Sequence, residues 1–272
     1  MSHGSWICTL LVTAAVSCPT QECDSTGGVD ALPATAESWL DKIAQRFDQV
    51  KSLRAEVSYE RTDGLGILDA REKRQGSFVF ETGPPARFSV HFDKLTVDGR
   101  PARTNMWYIF DGRWIVERNE QEKIFIKRQI VPPDAPAATD PLATGNGPFF
   151  LPITAKKSQI LRRFDPTIVT PNDTDPPNTV HLQLIPKPGR RMEIARVDLW
   201  YDRTTLVPIR VETLDDVPNQ QIVTVKNISF DEPIKPKRLD VSRPRGKGWR
   251  VTVEPYRKVT KDEKSTVQRE NR

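Results

Sequence analysis

The most telling shortage in this sequence of 272 residues is cysteine, which is absent from nearly the whole chain. Its three cysteines, Cys8, Cys18 and Cys23, all fall within the first 23 residues. The remaining sequence therefore offers no disulfide framework and no cysteine-based metal site. Histidine is almost as scarce, since only His91 and His181 follow the N-terminal segment.

Motifs for catalysis are lacking as well. Neither histidine has a second ligand at the spacing of a metal site, and the sequence contains no G-x-S-x-G and no glycine-rich phosphate loop. Both histidines occupy the polar side of an alternating pattern, so we expect them to be exposed to solvent. Asp173 and Asp175 lack the ladder of oxygen ligands of a calcium loop and predict a solvated turn. We expect no enzyme, no metal and no cofactor; a hydrolase built on His91 or His181 is the weakest alternative.

Long hydrophobic runs are limited to one. Trp6–Cys18 is too short to cross a bilayer and matches the hydrophobic region of a secretory signal peptide, although no Lys or Arg precedes it. Residues 1–23 are therefore predicted to be a signal peptide, and the small, polar residues 24–34 a linker. Ala15–Cys18 also resembles a bacterial lipobox, in which Cys18 would be lipidated and become the N-terminus. Both alternatives place the mature protein outside the cytoplasm.

Positive charge is not concentrated in the body of the chain. The net charge is +5, but Lys and Arg are spread along the sequence and do not alternate with aromatic residues as a nucleic-acid platform requires. We therefore expect no nucleic-acid partner. A basic soluble surface is favoured over attraction to anionic lipid headgroups. Residues 255–272 form a charged tail that we expect to lack regular structure.

The apolar residues that are present predict a helix followed by many strands. After a Thr35 N-cap, Trp39, Ile43 and Phe47 recur at helical spacing and form one apolar stripe. From Leu53 the period changes to two, and the whole chain is predicted to hold about ten or eleven strands and two or three helices. An antiparallel sheet of that size curls, and helices on one side make it a half-barrel or open barrel around a cavity. The predicted fold class is mainly β (α+β).

Two stretches interrupt the strands. Ile130–Pro148, rich in proline and small residues, predicts a long loop, and Ala155–Phe164 predicts a short helix. Asp231–Gly246, rich in proline and charge, is expected to cross between strands and to contain a short strand at Leu239–Val241. Residues 35–254 are predicted to form a single domain.

The hairpin that reads NMWYIFDGRWIVER has apolar residues on both faces, whereas an antiparallel hairpin usually keeps one face wet. We predict that the face with Met106, Tyr108 and Phe110 lines a cavity. The face with Trp107 and Ile109 would pack outside or remain as exposed aromatic surface. Paired strands nearby are also rich in aromatic and aliphatic residues, which favours a core with a ligand cavity over a core alone. The predicted wall of that cavity consists of Phe78, Phe80, Phe88, Val90, Phe92, Met106, Tyr108, Phe110 and Trp114.

Several short motifs follow one another in a recognisable order. They are the amphipathic helix 39–53, G-S-F-V-F at 76–80 running to Pro84, R-F at 87–88, F-D-G-R-W at 110–114, G-P-F-F-L at 147–151 and L-D-V-S-R-P-R-G at 239–246. This series, over about residues 38–253, resembles the LolA-like periplasmic lipoprotein carriers of Gram-negative bacteria. The order and spacing of the motifs carry the resemblance.

The resemblance implies an unclosed antiparallel β-barrel with a helical lid, to which Phe149, Phe150 and Leu151 would belong. It also implies that the apolar wall takes the acyl chains of lipoproteins or lipids across the periplasm, without covalent chemistry. An arginine that helps to hold the lid in these carriers is missing here, because Thr82-Gly83 precede the proline that ends the strand. The leading hypothesis is an exported, monomeric carrier that exchanges cargo with membrane donor and acceptor proteins. The alternative is an envelope-stress sensor or regulatory module on the same scaffold, anchored through Cys18.

Overall fold

Antiparallel strands make up most of the described chain. A computed structural model of the protein describes residues 35–64, 71–134, 147–153, 156–188, 194–215 and 219–256. The predicted signal peptide, the linker, Cys18 and residues 257–272 of the predicted tail lie outside the described residues.

Within those ranges the chain forms two α-helices, one 3-10 helix and thirteen strands. The helices are α1 (Ala36–Asp48), α2 (Lys157–Leu161) and the 3-10 helix Pro236–Leu239. The strands are β1 (Ser52–Thr62), β2 (Arg71–Glu81), β3 (Arg87–Val97), β4 (Arg100–Ala102), β5 (Met106–Phe110), β6 (Trp114–Asn119), β7 (Ile124–Gln129), β8 (Phe164–Val169), β9 (Thr179–Pro186), β10 (Ile194–Asp202), β11 (Pro208–Asp215), β12 (Gln220–Phe230) and β13 (Arg250–Glu254).

All thirteen strands belong to one sheet. Their order is β13-β7-β6-β5-β3-β2-β1-β12-β11-β10-β9-β8, and β4 pairs with β3 beside this path. Strands β8 and β13 are the two edges of the described sheet, which is therefore open. The predicted mainly β, unclosed architecture is confirmed. Two sequential meanders, β1–β7 and β8–β12, meet at the pairing of β1 with β12.

The first helix begins where the sequence predicted. The Thr35 side chain accepts a hydrogen bond from the Ser38 backbone N–H (3.1 Å). The Ser38 hydroxyl oxygen accepts one from the Thr35 backbone N–H, which completes a capping box. Trp39, Ile43 and Phe47 are buried along one side of the helix, as the apolar spacing indicated.

The sheet buries apolar residues on both of its faces. We call the face covered by α1, α2 and residues 147–153 the inner face. The other, outer face carries a smaller cluster of Ile109, Val116 and Phe125, which Val241 and Trp249 of the C-terminal crossing help to cover. The two apolar faces of the hairpin at 105–118 thus both have a partner, and the outer one is largely covered by the chain's own C-terminal segment.

Two predictions about the C-terminal region are wrong. Leu239–Val241 is not a strand, because Pro236 begins a 3-10 turn that buries Leu239 and Val241 instead packs on the outer cluster. The sheet is also not purely antiparallel, since β13 pairs in parallel with β7. The crossing runs over the outer face and ends beside the start of β7. There the Arg250 backbone N–H donates a hydrogen bond to the Lys123 carbonyl oxygen (2.8 Å).

The strand count and the second helix also differ from the predictions. The short strand β4 and the edge strand β8 bring the total to thirteen rather than ten or eleven. The helix predicted over Ala155–Phe164 is shortened to α2, because Phe164 already begins β8 and packs into the core. No helix of the described residues has the length and hydrophobicity that a bilayer crossing demands.

Gly76 marks a place where two backbones come too close for any side chain. Strand β3 carries one extra residue, Asp93, opposite the Gln75–Gly76 step of β2. A Cβ on Gly76 would lie 1.8 Å from the carbonyl oxygen of His91, so a backbone would have to shift.

We expect Gly76→Ala to lower the free energy of unfolding by about 2 kcal/mol, a typical overpacking cost. Gly83→Ala is the matched control, because a Cβ there would meet nothing within 4 Å, and we expect a change within about 0.5 kcal/mol. Urea denaturation of both variants measures the two effects. Equal stability of the two variants would contradict the bulge geometry.

Candidate functional site

The inner face of the sheet is the surface on which the predicted ligand wall lies. Alternation along β2, β3 and β5 turns every second side chain toward the helices, so that aromatic residues from three neighbouring strands meet in one layer. Phe88 faces Phe110 across the β3–β5 pair with ring centres 5.7 Å apart. The predicted residues that belong to this inner cluster are Phe78, Phe80, Phe88, Val90, Phe92, Met106, Phe110, Phe149, Phe150 and Leu151.

Two predicted wall residues occupy other positions. Tyr108 is partly buried and packs against the edge of the inner cluster. Trp114 is half-buried on the outer side, because its neighbour Ile115 takes the inward position and Val116 belongs to the outer cluster. The Lys127 ammonium lies 5.0 Å from the Trp114 ring centre. In β6, Ile115 therefore faces inward, whereas Trp114 and Val116 face outward. The sequence alone did not determine which of these alternating residues would face the core.

A lid covers the inner face, and we define it as α1, α2 and residues 147–153. Residues 149–151 and Ile153 are each 0–4% exposed, so the lid places its own apolar side chains where a ligand cavity was predicted. Phe149 stacks on Tyr59 with ring centres 6.0 Å apart, and Phe150 meets Phe164 edge-on at 6.1 Å. The lid side chains therefore pack directly against the predicted wall.

Polar contacts also hold the lid. Lys157 of α2 contacts Asp41 and Glu37 of α1 at 2.8 and 3.2 Å, and these two carboxylates are more than half exposed. The Tyr201 hydroxyl donates to the Pro152 carbonyl at 3.3 Å. Exposed ion pairs of this kind contribute little to stability. Arg87, which follows the proline that ends the strand, pairs with Glu81 on the neighbouring strand.

A pocket of about 230 Å³ opens beside the lid at the start of β2, and we call it the mouth pocket. Arg74 pairs with Glu72 there, and its Nη1 lies 3.5 Å from the Tyr108 hydroxyl. Burial raises the pKa of Tyr59 and of Tyr108, so both remain neutral phenols. The mouth pocket is lined by Tyr59, Arg61, Glu72, Arg74, Phe92, Tyr108, Pro148 and Phe149.

A larger pocket, of about 400 Å³, lies on the outer face. Charged side chains surround it, among them Glu56, Glu60, Lys73 and Lys226. Its polar walls do not suit an acyl chain, and the lid lies on the other side of the sheet. We therefore place the candidate site at the inner face and its mouth pocket, although the outer pocket has the greater volume.

Both histidines depart from the predicted solvent exposure. His91 is half-buried, stacks on Trp107 with ring centres 3.9 Å apart, and contacts the Asn105 amide oxygen at 2.9 Å. Burial lowers the pKa of His91. His181 is only 7% exposed, lies 3.0 Å from Asp198 and stacks on Trp200. Both histidines lie on the polar side of their strands, which is the outer face of the sheet. Trp107 covers His91 there, and Trp200 covers His181.

Asp175 is also not the solvated turn residue that was predicted. Its carboxylate accepts a hydrogen bond from Trp200 Nε1 at 2.7 Å, and its side chain is 7% exposed. The loop between β8 and β9 thereby folds back over β10. Among the described residues no group of three or more His, Cys, Asp or Glu side chains is arranged to hold a metal ion.

No protein-family model matches the sequence, and no curated protein matches it. Solved structures do. An uncharacterised conserved protein from Thermus thermophilus is 10% identical over 80% of this chain and 99% of its own, with a TM-score of 0.47. The lipoprotein LppX of Mycobacterium tuberculosis is 10% identical to this chain, with a TM-score of 0.39. The match covers 74% of this chain and 97% of LppX. A LolA superfamily protein from Nitrosomonas europaea is 11% identical to this chain, with a TM-score of 0.34. The match covers 76% of this chain and 98% of that protein.

The Asp198 carboxylate predicts how stability depends on pH. Burial raises its pKa, but hydrogen bonds from His181 and Gln183 and the charge of Arg196 outweigh burial, and the pKa lies below its ordinary value. Its stabilising effect is therefore present above the unfolded-state pKa of about 3.9 and is lost as pH falls through the folded-state pKa.

We expect Asp198→Asn to lower the free energy of unfolding at pH 7 by about 2 kcal/mol, because hydrogen bonds to a charged group are weakened. The variant should also lose less stability than the wild type between pH 5 and 2, as followed by urea denaturation at each pH. Asp173→Asn, at an exposed position in the loop between β8 and β9, is the control and should leave the profile unchanged. Parallel profiles for Asp198→Asn and the wild type would refute this role.

Proposed function

We propose that this protein is a non-enzymatic, exported carrier that binds an acyl chain of a lipid or lipoprotein between the inner face of its sheet and the lid. One observation carries the proposal: a continuous layer of aromatic and aliphatic side chains on the inner face is covered by the apolar side chains of the lid. Such an arrangement lets apolar cargo replace apolar lid residues without leaving the sheet exposed to water.

Transfer of methylene groups supplies the affinity. Each CH₂ that leaves water contributes about 0.8 kcal/mol, so fifteen of them contribute about 12 kcal/mol before any cost is subtracted. Phe149, Phe150 and Leu151 must leave the inner face to make room, and their own burial is lost. The net affinity is the free energy gained by burying the acyl chain minus the free energy lost by exposing these three lid residues. This partial cancellation suits a carrier that must release its cargo.

The movable part of the lid is expected to be α2 with residues 147–153. Helix α1 has thirteen residues and buries five of them, whereas α2 has five residues and buries Ile160 alone. Lifting α2 therefore exposes little apolar surface of its own. Helix α1 stays on the sheet and provides the fixed side of the opening.

Export places the carrier in the cell envelope, with membrane proteins that load and unload it as partners. A soluble shuttle requires removal of the segment that contains Cys18, whereas lipidation of Cys18 would anchor the protein and favour the sensor alternative. The intact mass of the protein isolated from its native envelope distinguishes these two forms.

The test of acyl binding uses the purified exported protein. Organic extraction followed by mass spectrometry identifies any co-purified lipid, and titration with a fluorescent fatty acid measures uptake directly. We expect saturable binding whose strength rises with chain length, because each methylene adds to the buried apolar surface. Absence of both co-purified lipid and probe binding would overturn the proposal.

The ion pairs of Lys157 predict a variant that binds faster. In Lys157→Glu, a third carboxylate would face Glu37 and Asp41, so the contact between α2 and α1 becomes repulsive. We expect association of the fluorescent fatty acid, followed by stopped flow, to become several-fold faster. Lys156→Glu changes the same charge at an exposed neighbour and should bind at the wild-type rate. Equal rates for the two variants would show that these ion pairs do not restrain the lid.

A further inference from the structure

The mouth pocket differs chemically from the apolar layer beneath it. Two arginines and two tyrosine hydroxyls line it, against one carboxylate, that of Glu72. Arg61 is exposed, while Arg74 is partly buried with its side chain 27% exposed. A concentration of N–H and O–H donors at the edge of an otherwise apolar layer has no role in packing the core.

Hydrogen bonds within the protein do not use all of the N–H and O–H donors of the mouth pocket. Arg74 donates through Nε to Glu72 and through Nη1 to the Tyr108 hydroxyl, yet a guanidinium has five N–H donors. The Tyr108 hydroxyl accepts from Arg74 and keeps its own proton to donate. Arg61 contacts Asp63 through Nε at 3.2 Å, and both side chains are about half exposed, so this pair yields readily to another anion.

The floor of the mouth pocket leads directly to the proposed acyl site. Phe92 lies 6.4 Å from Tyr59, 6.3 Å from Tyr108 and 6.5 Å from Phe149, measured between ring centres. Phe149 belongs to the lid and is 4% exposed, and Phe150 and Leu151 follow it into the core. When Phe149 moves, the polar pocket and the apolar layer become one continuous cleft.

We propose that the mouth pocket binds the anionic headgroup, carboxylate or phosphate, of an acyl lipid whose chain enters beneath Phe149. This inference rests on the proposed acyl-binding function and adds the class of cargo. Arg74 supplies the main charge-assisted hydrogen bonds, because a planar guanidinium matches the geometry of both anions. Arg61 adds charge at the solvent side, and the Tyr108 hydroxyl donates from the floor.

The chain and the headgroup have separate tasks in this arrangement. The pocket is open to water, so a small free anion gains little by leaving its hydration shell. An acyl chain fixed under the lid holds its headgroup at the pocket and makes the second contact intramolecular. Anionic lipids are therefore selected over neutral lipids of equal chain length.

The experiment compares ligands that share a chain and differ in headgroup. A neutral fluorescent acyl probe is displaced from the full exported protein at pH 8 by dodecanoate, dodecyl phosphate or dodecanol. We expect both anionic ligands to compete at concentrations at least tenfold lower than dodecanol. In Arg74→Gln this advantage of the anionic ligands over dodecanol should fall several-fold. Arg61→Gln should show a smaller loss in the same direction.

Arg87→Gln is the matched control, because it breaks an equivalent Arg–Glu pair at the opposite end of the β2–β3 pair. It should keep the full advantage of the anionic ligands. Thermal unfolding checks each variant for folding, and the exposed Arg61 offers a test even where Arg74→Gln is unstable.

The outcomes separate the two proposals. Equal competition by dodecanoate and dodecanol in the wild type overturns the headgroup site and leaves acyl binding intact. Displacement of the probe by acetate or inorganic phosphate alone also overturns it, since the pocket would then take free anions. Failure of the probe and of all three ligands to bind overturns the proposed function itself.

Discussion

One constraint governs this protein: a single sheet with apolar residues on both faces must be covered on both sides. Hydrogen bonding along the strands fixes the sheet, but the strands supply no cover for Phe78 or Phe110 on one face or for Ile109 and Phe125 on the other. Segments outside the strands meet the requirement. Helix α1, before the first strand, covers the inner face, and the crossing that leads to β13 covers the outer one.

The two covers differ in a way that matters for function. On the outer face, the Arg238 side chain donates to Ser77 and lies over the Trp107 ring, so the crossing is fastened by polar as well as apolar contacts. On the inner face, α2 and residues 147–153 rest on aromatic side chains and on the exposed ion pairs of Lys157. The inner cover is thus the one that can be exchanged for another apolar group, which is why acyl binding is proposed there.

Local pattern predicted the parts of this fold that depend on neighbouring residues. The Thr35 cap, the alternation along β3 and the Asp-Gly turn of the hairpin all follow from side chains a few positions apart. The parallel pairing of β13 did not, because it depends on where a long crossing returns to the sheet. The burial of His181 was missed for a similar reason: its cover comes from Trp200 and from Asp175 on a distant loop. The inner position of most of the aromatic wall was visible as period-two spacing, but the packing of Phe149, Phe150 and Leu151 against it was not, since that depends on where the lid lies.

The pairing of β1 with β12 has a consequence for how the inner face is assembled. Asp231 accepts hydrogen bonds from the Lys51 and Ser52 backbone N–H groups across 180 and 179 positions of sequence. Every other neighbouring pair in the described sheet is closer in sequence, and the entropy lost on closing a loop grows with its length. The inner face comes from two locally built halves, joined by the pairing with the largest closure entropy in the described sheet. The first strand and the last antiparallel one must pair before the inner face is complete.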